Sequence, residues 1–109
     1  MLKVDVNAVA DVLRELARGH IEAETRHDGF TTWLVRASGF SIEIFDDAGA
    51  VDYVERVTDP SGKTATFNQF VNAAGYDPID QLSEADQKAL SDRMLGDYWG
   101  ARIEKQTKR

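Results

Sequence analysis

Residues 40–57 read FSIEIFDDAGAVDYVERV. In the first part, apolar residues alternate with Ser41 and Glu43, which is the period of a half-buried β-strand. The turn-forming residues 46–49 follow, and a second strand is predicted from Val51 to Val57. The segment therefore predicts an antiparallel β-hairpin. On the second strand, simple alternation would place Val51, Tyr53 and Val57 on one side.

Two more strands are predicted upstream, at Ile21–Arg26 and Thr31–Arg36, joined by the turn-forming residues 27–29. Short loops between successive strands favour a four-stranded antiparallel meander. The polar face of this sheet is expected to be solvated and acidic. It carries Glu22, Glu24, Ser41 and Glu43. Alternation also places Phe45 on this face, away from the other aromatic core residues.

A helix is predicted before the sheet, with Asp5 as its N-cap and Gly19 at its left-handed end. Between them, apolar residues share one helical face. They are Val6, Val9, Ala10, Leu13, Leu16 and Ala17.

After the sheet the apolar period becomes helical again. A short helix is expected between Thr66 and Gly75, and Asp77-Pro78 opens a helical turn. Residues 83–86 resemble a capping box with Asp86 in the usual Glu position, which starts a last helix. The expected fold is α+β, with an N-terminal helix, a four-stranded antiparallel meander, and two to three C-terminal helices packed on one sheet face.

The charge is unevenly distributed along the chain. Residues 1–99 carry 18 acidic and 9 basic side chains and are expected to form a single domain, whereas residues 100–109 form a basic tail with net charge +3. A strongly acidic body disfavours general nucleic-acid binding. No signal peptide or membrane segment is recognised, and cysteine is absent, so a cytoplasmic location is expected.

The residue patterns that usually carry catalysis are missing from the sequence. There is no phosphate-binding glycine loop and no nucleophile elbow. His20 and His27 lie on opposite faces of the first predicted strand, and the acidic loop 46–52 lacks calcium-ligand spacing. No enzyme activity, cofactor or metal site is therefore expected.

Three segments carry a resemblance to a known family: Gly39–Tyr53, Asp59–Lys63 and Asp77–Glu84. Together they resemble a family of small uncharacterised bacterial proteins, a domain of unknown function, over about residues 10–95. The family has no established activity, so the resemblance implies no catalytic residue. Val54 stands where family members often have cysteine, which argues against a thiol role.

These sequence features are most consistent with a small, acidic, non-catalytic protein-interaction or regulatory module that binds a basic protein partner. Two alternatives stay open: an inhibitor or immunity-type protein that presents carboxylates to a nucleic-acid-binding partner, and a small-ligand binder or enzyme with a cleft between sheet and helices. The C-terminal aromatic segment, which contains Tyr98, Trp99 and Ile103, either folds back on the domain or docks on a partner or second copy. The candidate interaction residues are Glu22, Glu24, Glu43, Asp46, Asp47, Asp52, Tyr98, Trp99 and Ile103.

Overall fold

A computed structural model describes residues 2–47 and 49–94 of the chain. It contains α1 (Val6–Ala17), β1 (Glu24–His27), β2 (Thr32–Ala37), β3 (Phe40–Asp47), β4 (Ala50–Thr58), β5 (Thr64–Thr66), α2 (Phe67–Ala74), a 3₁₀ turn (Pro78–Gln81), and α3, which is helical from residue 84 to the last described residue, 94. The strands form one antiparallel sheet in the order β1-β2-β3-β4-β5. The α+β class and the meander are confirmed, but the sheet has five strands instead of four.

Helix α1 begins and ends as the sequence predicts. The Asp5 Oδ1 atom accepts a hydrogen bond from the Asn7 N–H at 2.9 Å. At the other end Gly19 has a φ of +74°, and the N–H of His20 donates to the Glu15 carbonyl at 2.9 Å. This closes the helix because glycine takes the left-handed position without strain.

The additional strand, β5, has three residues, and Ala65 is the buried one. It pairs with the end of β4, where Ala65 lies opposite Val57. A strand this short shows no period in the sequence. At the other edge, β1 starts at Glu24, so Glu22 precedes the sheet.

Strand β4 departs from simple alternation at two β-bulges. Ile44 pairs with Val54 and Glu43 with Arg56, which leaves Glu55 as an extra residue. A second register shift leaves Asp52 extra, so Val51, Val54 and Val57 are the buried residues. The expectation that Tyr53 shares their side is wrong, because each bulge changes which side chains face the core.

One face of the sheet and the apolar sides of the helices form a single hydrophobic core. The sheet contributes Trp33, Val35, Ala37, Ile42, Ile44, Val51, Val54, Val57 and Ala65; the helical elements contribute the whole predicted stripe of α1 together with Phe70, Ile79, Leu90 and Met94.

The opposite sheet face is not acidic as expected, because arginines lie among its carboxylates. Arg36 lies opposite Glu24, and Arg56 lies opposite Glu43. Arg26 is on the same face, and the Arg56 Nε is 3.8 Å from Glu43 Oε2. Alternation within β1 already places Arg26 on the face of Glu24, whereas the positions of Arg36 and Arg56 opposite Glu24 and Glu43 depend on the pairing of neighbouring strands.

The segment after α2 returns to the sheet edge. Asp77 caps the 3₁₀ turn as predicted, and its carboxylate also accepts the Val54 N–H of β4. Ser83 Oγ accepts the Asp86 N–H at 3.1 Å, which is half of the predicted capping box. The Asp86 carboxylate instead accepts two hydrogen bonds from Arg18, at 3.2 and 3.1 Å, and so connects α3 to the end of α1.

Candidate functional site

The turn between β1 and β2 is held by several hydrogen bonds. Asp28 Oδ1 accepts from the N–H groups of Phe30 at 2.8 Å and Thr32 at 3.1 Å, and the Asp28 N–H donates to the Thr32 carbonyl at 3.0 Å. The Gly29 N–H donates to His27 Nδ1 at 3.0 Å. Aspartate and glycine favour such turns because the carboxylate satisfies nearby amides and glycine accepts a positive φ, here +88°.

This turn lies against the end of the β3–β4 hairpin. The Asp46 N–H donates to the Thr31 carbonyl at 2.7 Å, and Thr32 Oγ1 donates to Glu55 Oε2 at 3.2 Å. His27 Nε2 is 3.0 Å from Asp46 Oδ2. Because Nδ1 of this histidine accepts the Gly29 N–H, the neutral ring carries its hydrogen on Nε2 and donates it to Asp46.

These contacts collect carboxylates at one end of the sheet, which we call the acidic end. It consists of Asp28, Asp46, Asp47, Asp52 and Glu55. The two β4 bulges place Asp52 and Glu55 here as extra residues of the strand. Within residues 2–47 and 49–94, no lysine or arginine forms an ion pair with any of the five. Negative charge is therefore concentrated at this end.

The local environment shifts two pKa values at the acidic end. The N–H groups of Phe30 and Thr32 hold the pKa of the Asp28 carboxyl below its usual value, so this turn stays charged. Burial raises the pKa of Tyr53, and the negative charges of Glu55 and Asp52 raise it further. Both pKa values are shifted further away from neutral pH, so Asp28 is charged and Tyr53 is neutral near pH 7.

An aromatic cluster lies next to the acidic end. Its strand residues, Phe45 and Tyr53, are on the sheet face opposite the core. Phe45 stacks on Tyr53 with ring centroids 5.0 Å apart, and Phe67 at the start of α2 is 4.6 Å from Tyr53. The predicted position of Phe45 on the polar face is confirmed by its pairing with Tyr53. Its ring is half-buried because the neighbouring rings cover it.

The structure divides the predicted interaction residues. Asp46, Asp47 and Asp52 lie together at the acidic end. Glu22 and Glu24 lie at the opposite end of the sheet, because Glu24 is level with Ser41 across β2. Five residues of β3 separate that level from Asp46, which is about 16 Å at strand spacing.

Of the remaining predicted residues, one lies between the two ends of the sheet and three are not described by the structure. Glu43 lies in the middle of the open sheet face beside Arg56, where its charge is partly balanced. Tyr98, Trp99 and Ile103 lie outside the described residues, as does the basic tail 100–109.

The interaction residues predicted from the sequence do not include three residues of this region: Phe30, Glu55 and His27. Phe30 is 83% exposed at the tip of the β1–β2 turn. An aromatic residue directly after Asp28-Gly29 in a predicted turn was the available signal for it. Glu55 depends on a bulge, and the His27–Asp46 contact joins residues far apart in the chain, so no local pattern shows either.

The opposite end of the sheet carries an open groove of about 590 Å³, lined by Glu22, Glu24, Arg36, Ser38, Phe40 and Ser41 among others. Within the described part of the chain, no group of three or more histidine and carboxylate side chains is arranged to hold a metal ion. No helix in that part is long and apolar enough to cross a membrane.

Comparison with known protein families finds a match. The model of a protein family described as Domain of unknown function (DUF7693) matches residues 3–95, which include the acidic end and the whole sheet. The resemblance to a domain of unknown function is thus confirmed, over a slightly longer range. No curated protein and no solved structure matches the chain.

Proposed function

Since this chain belongs to a family of unknown function, we propose from its geometry that it is a small non-catalytic protein-interaction module whose acidic end binds a basic surface of a protein partner. The single observation that carries the proposal is the collection of five carboxylates at one end of the sheet, with no lysine or arginine of the described residues paired to them. The proposed setting is the cytoplasm, with which the absence of cysteine is consistent.

Local concentration of charge supports this choice of surface over the open sheet face. The sheet face mixes Glu24 and Glu43 with three arginines, so its field is largely cancelled at a distance. At the acidic end the negative charges add to the acidic body of the chain. Such a region attracts a basic surface and speeds association, and this effect weakens as salt rises.

The framework of the acidic end also supports a binding role. The β1–β2 turn and the β3–β4 hairpin are connected by the Asp46–Thr31, His27–Asp46 and Thr32–Glu55 hydrogen bonds. A surface whose backbone is already ordered loses little conformational entropy when a partner binds. We infer that the partner meets a preformed surface.

The test compares two double variants that remove the same charge at opposite ends of the sheet. Asp47→Asn/Asp52→Asn alters the acidic end, and Glu22→Gln/Glu24→Gln alters the other end. All four side chains are exposed, so both variants are expected to fold normally. Affinity capture from cell extract at low and high salt is then run with the wild type and both variants.

The expected result is a protein retained by the wild type at low salt, lost at high salt, retained by Glu22→Gln/Glu24→Gln and reduced by Asp47→Asn/Asp52→Asn. Purified, this partner should bind the acidic-end variant more weakly by about tenfold or more, mainly through slower association. Retention that is equal for both variants, or that is insensitive to salt, contradicts the proposal.

A further inference from the structure

Phe30 is the most exposed large hydrophobic residue of the described chain, at 83% of its full accessible surface. We propose that its ring is the hydrophobic anchor of the acidic end, and that it inserts into an apolar pocket of the partner whose rim carries lysine or arginine. This inference rests on the proposed function and adds to it the shape and chemistry of the surface that binds.

The backbone under the ring is fixed before any partner binds. The Phe30 N–H is held by Asp28 Oδ1 at 2.8 Å, and the flanking residues Gly29 and Thr31 bond to His27 Nδ1 and the Asp46 N–H. The turn therefore connects to both β1 and β3. A ring on such a turn has only its two side-chain torsions to lose, so it is suited to anchoring at low entropic cost.

The exposed ring contributes little to the stability of the fold, whereas its burial in a complex would contribute substantially to the free energy of binding. A phenylalanine side chain transferred from water to an apolar pocket contributes about 2–3 kcal/mol. Aromatic anchors of this kind contribute most of the binding energy at many interfaces, while the surrounding polar rim excludes water. Among residues 2–47 and 49–94, the other exposed large hydrophobic residues, Val71 and Tyr76, are only 37% exposed and lie outside the acidic end.

The carboxylates around Phe30 determine what can surround the pocket. Asp28 belongs to the same turn, and the Asp46 carboxylate lies 3.0 Å from His27 Nε2 at the start of that turn. If the ring is buried in a partner, these charges lose part of their hydration, which is unfavourable unless cations face them. An acidic rim is therefore disfavoured, and a rim of lysine or arginine is favoured over a neutral one.

The test uses short cyclic peptides from a displayed random library as the probe. Peptides are selected on the immobilised full chain at low salt, and their affinities are measured for the wild type and variants. The enriched peptides are expected to combine basic residues with apolar ones. Their affinity should fall about tenfold or more for Phe30→Ala, less for Phe30→Leu, and not at all for the control Val71→Ala.

A second pair of variants tests whether the turn positions the ring. Asp28→Asn removes the charge but keeps an oxygen that accepts the Phe30 and Thr32 N–H groups, whereas Asp28→Ala removes both. Weaker binding to Asp28→Ala than to Asp28→Asn is expected. Equal affinities for the two variants would contradict the positioning role.

The outcomes separate this inference from the proposed function. Peptides that bind Phe30→Ala as tightly as the wild type, but lose affinity for Asp47→Asn/Asp52→Asn, overturn the anchor and leave the acidic end in place. A selection that enriches no basic peptide at low salt overturns both. Unfolding curves of Phe30→Ala should match the wild type, because the ring packs little within the chain.

Discussion

Asp77 is a buried carboxylate whose pKa is strongly raised by its surroundings. It is 2% exposed, and the Val54 N–H reaches its two oxygens at 2.7 and 2.9 Å. It supplies the acceptor that a neighbouring strand would offer, because β5 pairs only with residues 56–58 of β4. Burial, with a smaller contribution from the negative charges of Asp80 and Asp52, raises the pKa of Asp77 against the opposing effect of the Val54 and Ile79 N–H groups, and the resulting pKa is about 7.

The raised pKa of Asp77 predicts a pH-dependent stability. In the unfolded chain this carboxyl has its ordinary pKa of 3.8, so between pH 4 and 7 the folded state binds more protons. The resulting stabilisation is complete below the unfolded value and is lost as pH rises through about 7. Its full size is at most about 4 kcal/mol. Urea unfolding at pH 5 and pH 8 measures about two thirds of it, because the loss begins near pH 4.

The matched variant is Asp77→Asn, which keeps an oxygen for the Val54 N–H and cannot ionise. Its free energy of unfolding should rise relative to that of the wild type as pH increases from 5 to 8. Glu84→Gln, at an exposed position of α3, is the control and should follow the wild-type pH profile. Parallel profiles for Asp77→Asn and the wild type would show that Asp77 does not cause the pH dependence.

At the scale of elements, the β2–β3 connection is a two-residue turn with positive φ at both central positions, +52° at Ser38 and +81° at Gly39. This is the hairpin geometry whose twist matches the flanking strands. A Cβ atom on Gly39 would lie 3.1 Å from the Pro60 ring, so the turn also packs closely against the β4–β5 connection. Ser38 is the one non-glycine residue with positive φ among the described residues.

Substitutions at these two positions should change the free energy of unfolding in opposite directions. Ser38→Asn should raise the free energy of unfolding by about 0.5–1 kcal/mol, because asparagine tolerates the left-handed region better than serine. Gly39→Ala should lower it by about 1–2 kcal/mol or more, because alanine is strained there and contacts Pro60. Thermal unfolding of both variants provides the measurement, and a loss of stability in Ser38→Asn would contradict the turn geometry.

The elements also show which parts of the fold can be predicted from the sequence. Local signals predicted α1, its caps and the Asp77-Pro78 turn, because each depends on residues a few positions apart. The β4 bulges were not predictable, since a bulge is a property of two paired strands and appears in neither alone. The same reason applies to the site: the hairpin carboxylates were predicted, whereas their connection to the Phe30 turn requires the sheet register.

At the scale of the whole molecule, the two faces of the sheet differ in burial, and its two ends differ in charge. One face is covered by α1, α2, α3 and the 3₁₀ turn, and the buried apolar side chains that the structure describes on these elements and on the sheet form one core. The other face is charge-balanced. The acidic end lies where loops join the strands, so its side chains contribute little to the core. Changes there are expected to affect binding, and changes in the core to affect the entire fold.

The single core predicts that α1 and the sheet unfold together. Leu13 of α1 is fully buried, and Leu13→Ala should lower the free energy of unfolding by about 2–5 kcal/mol. Because one cooperative unit is expected, amide hydrogen exchange in β3 and β4 should accelerate by the factor that corresponds to this loss, although neither strand is altered. Val71→Ala, at a partly exposed position of α2, is the control with a small effect. Exchange in β3 and β4 that stays at the wild-type rate while α1 amides accelerate would instead mean that the helix opens as a separate unit, and that the sheet is stable without it.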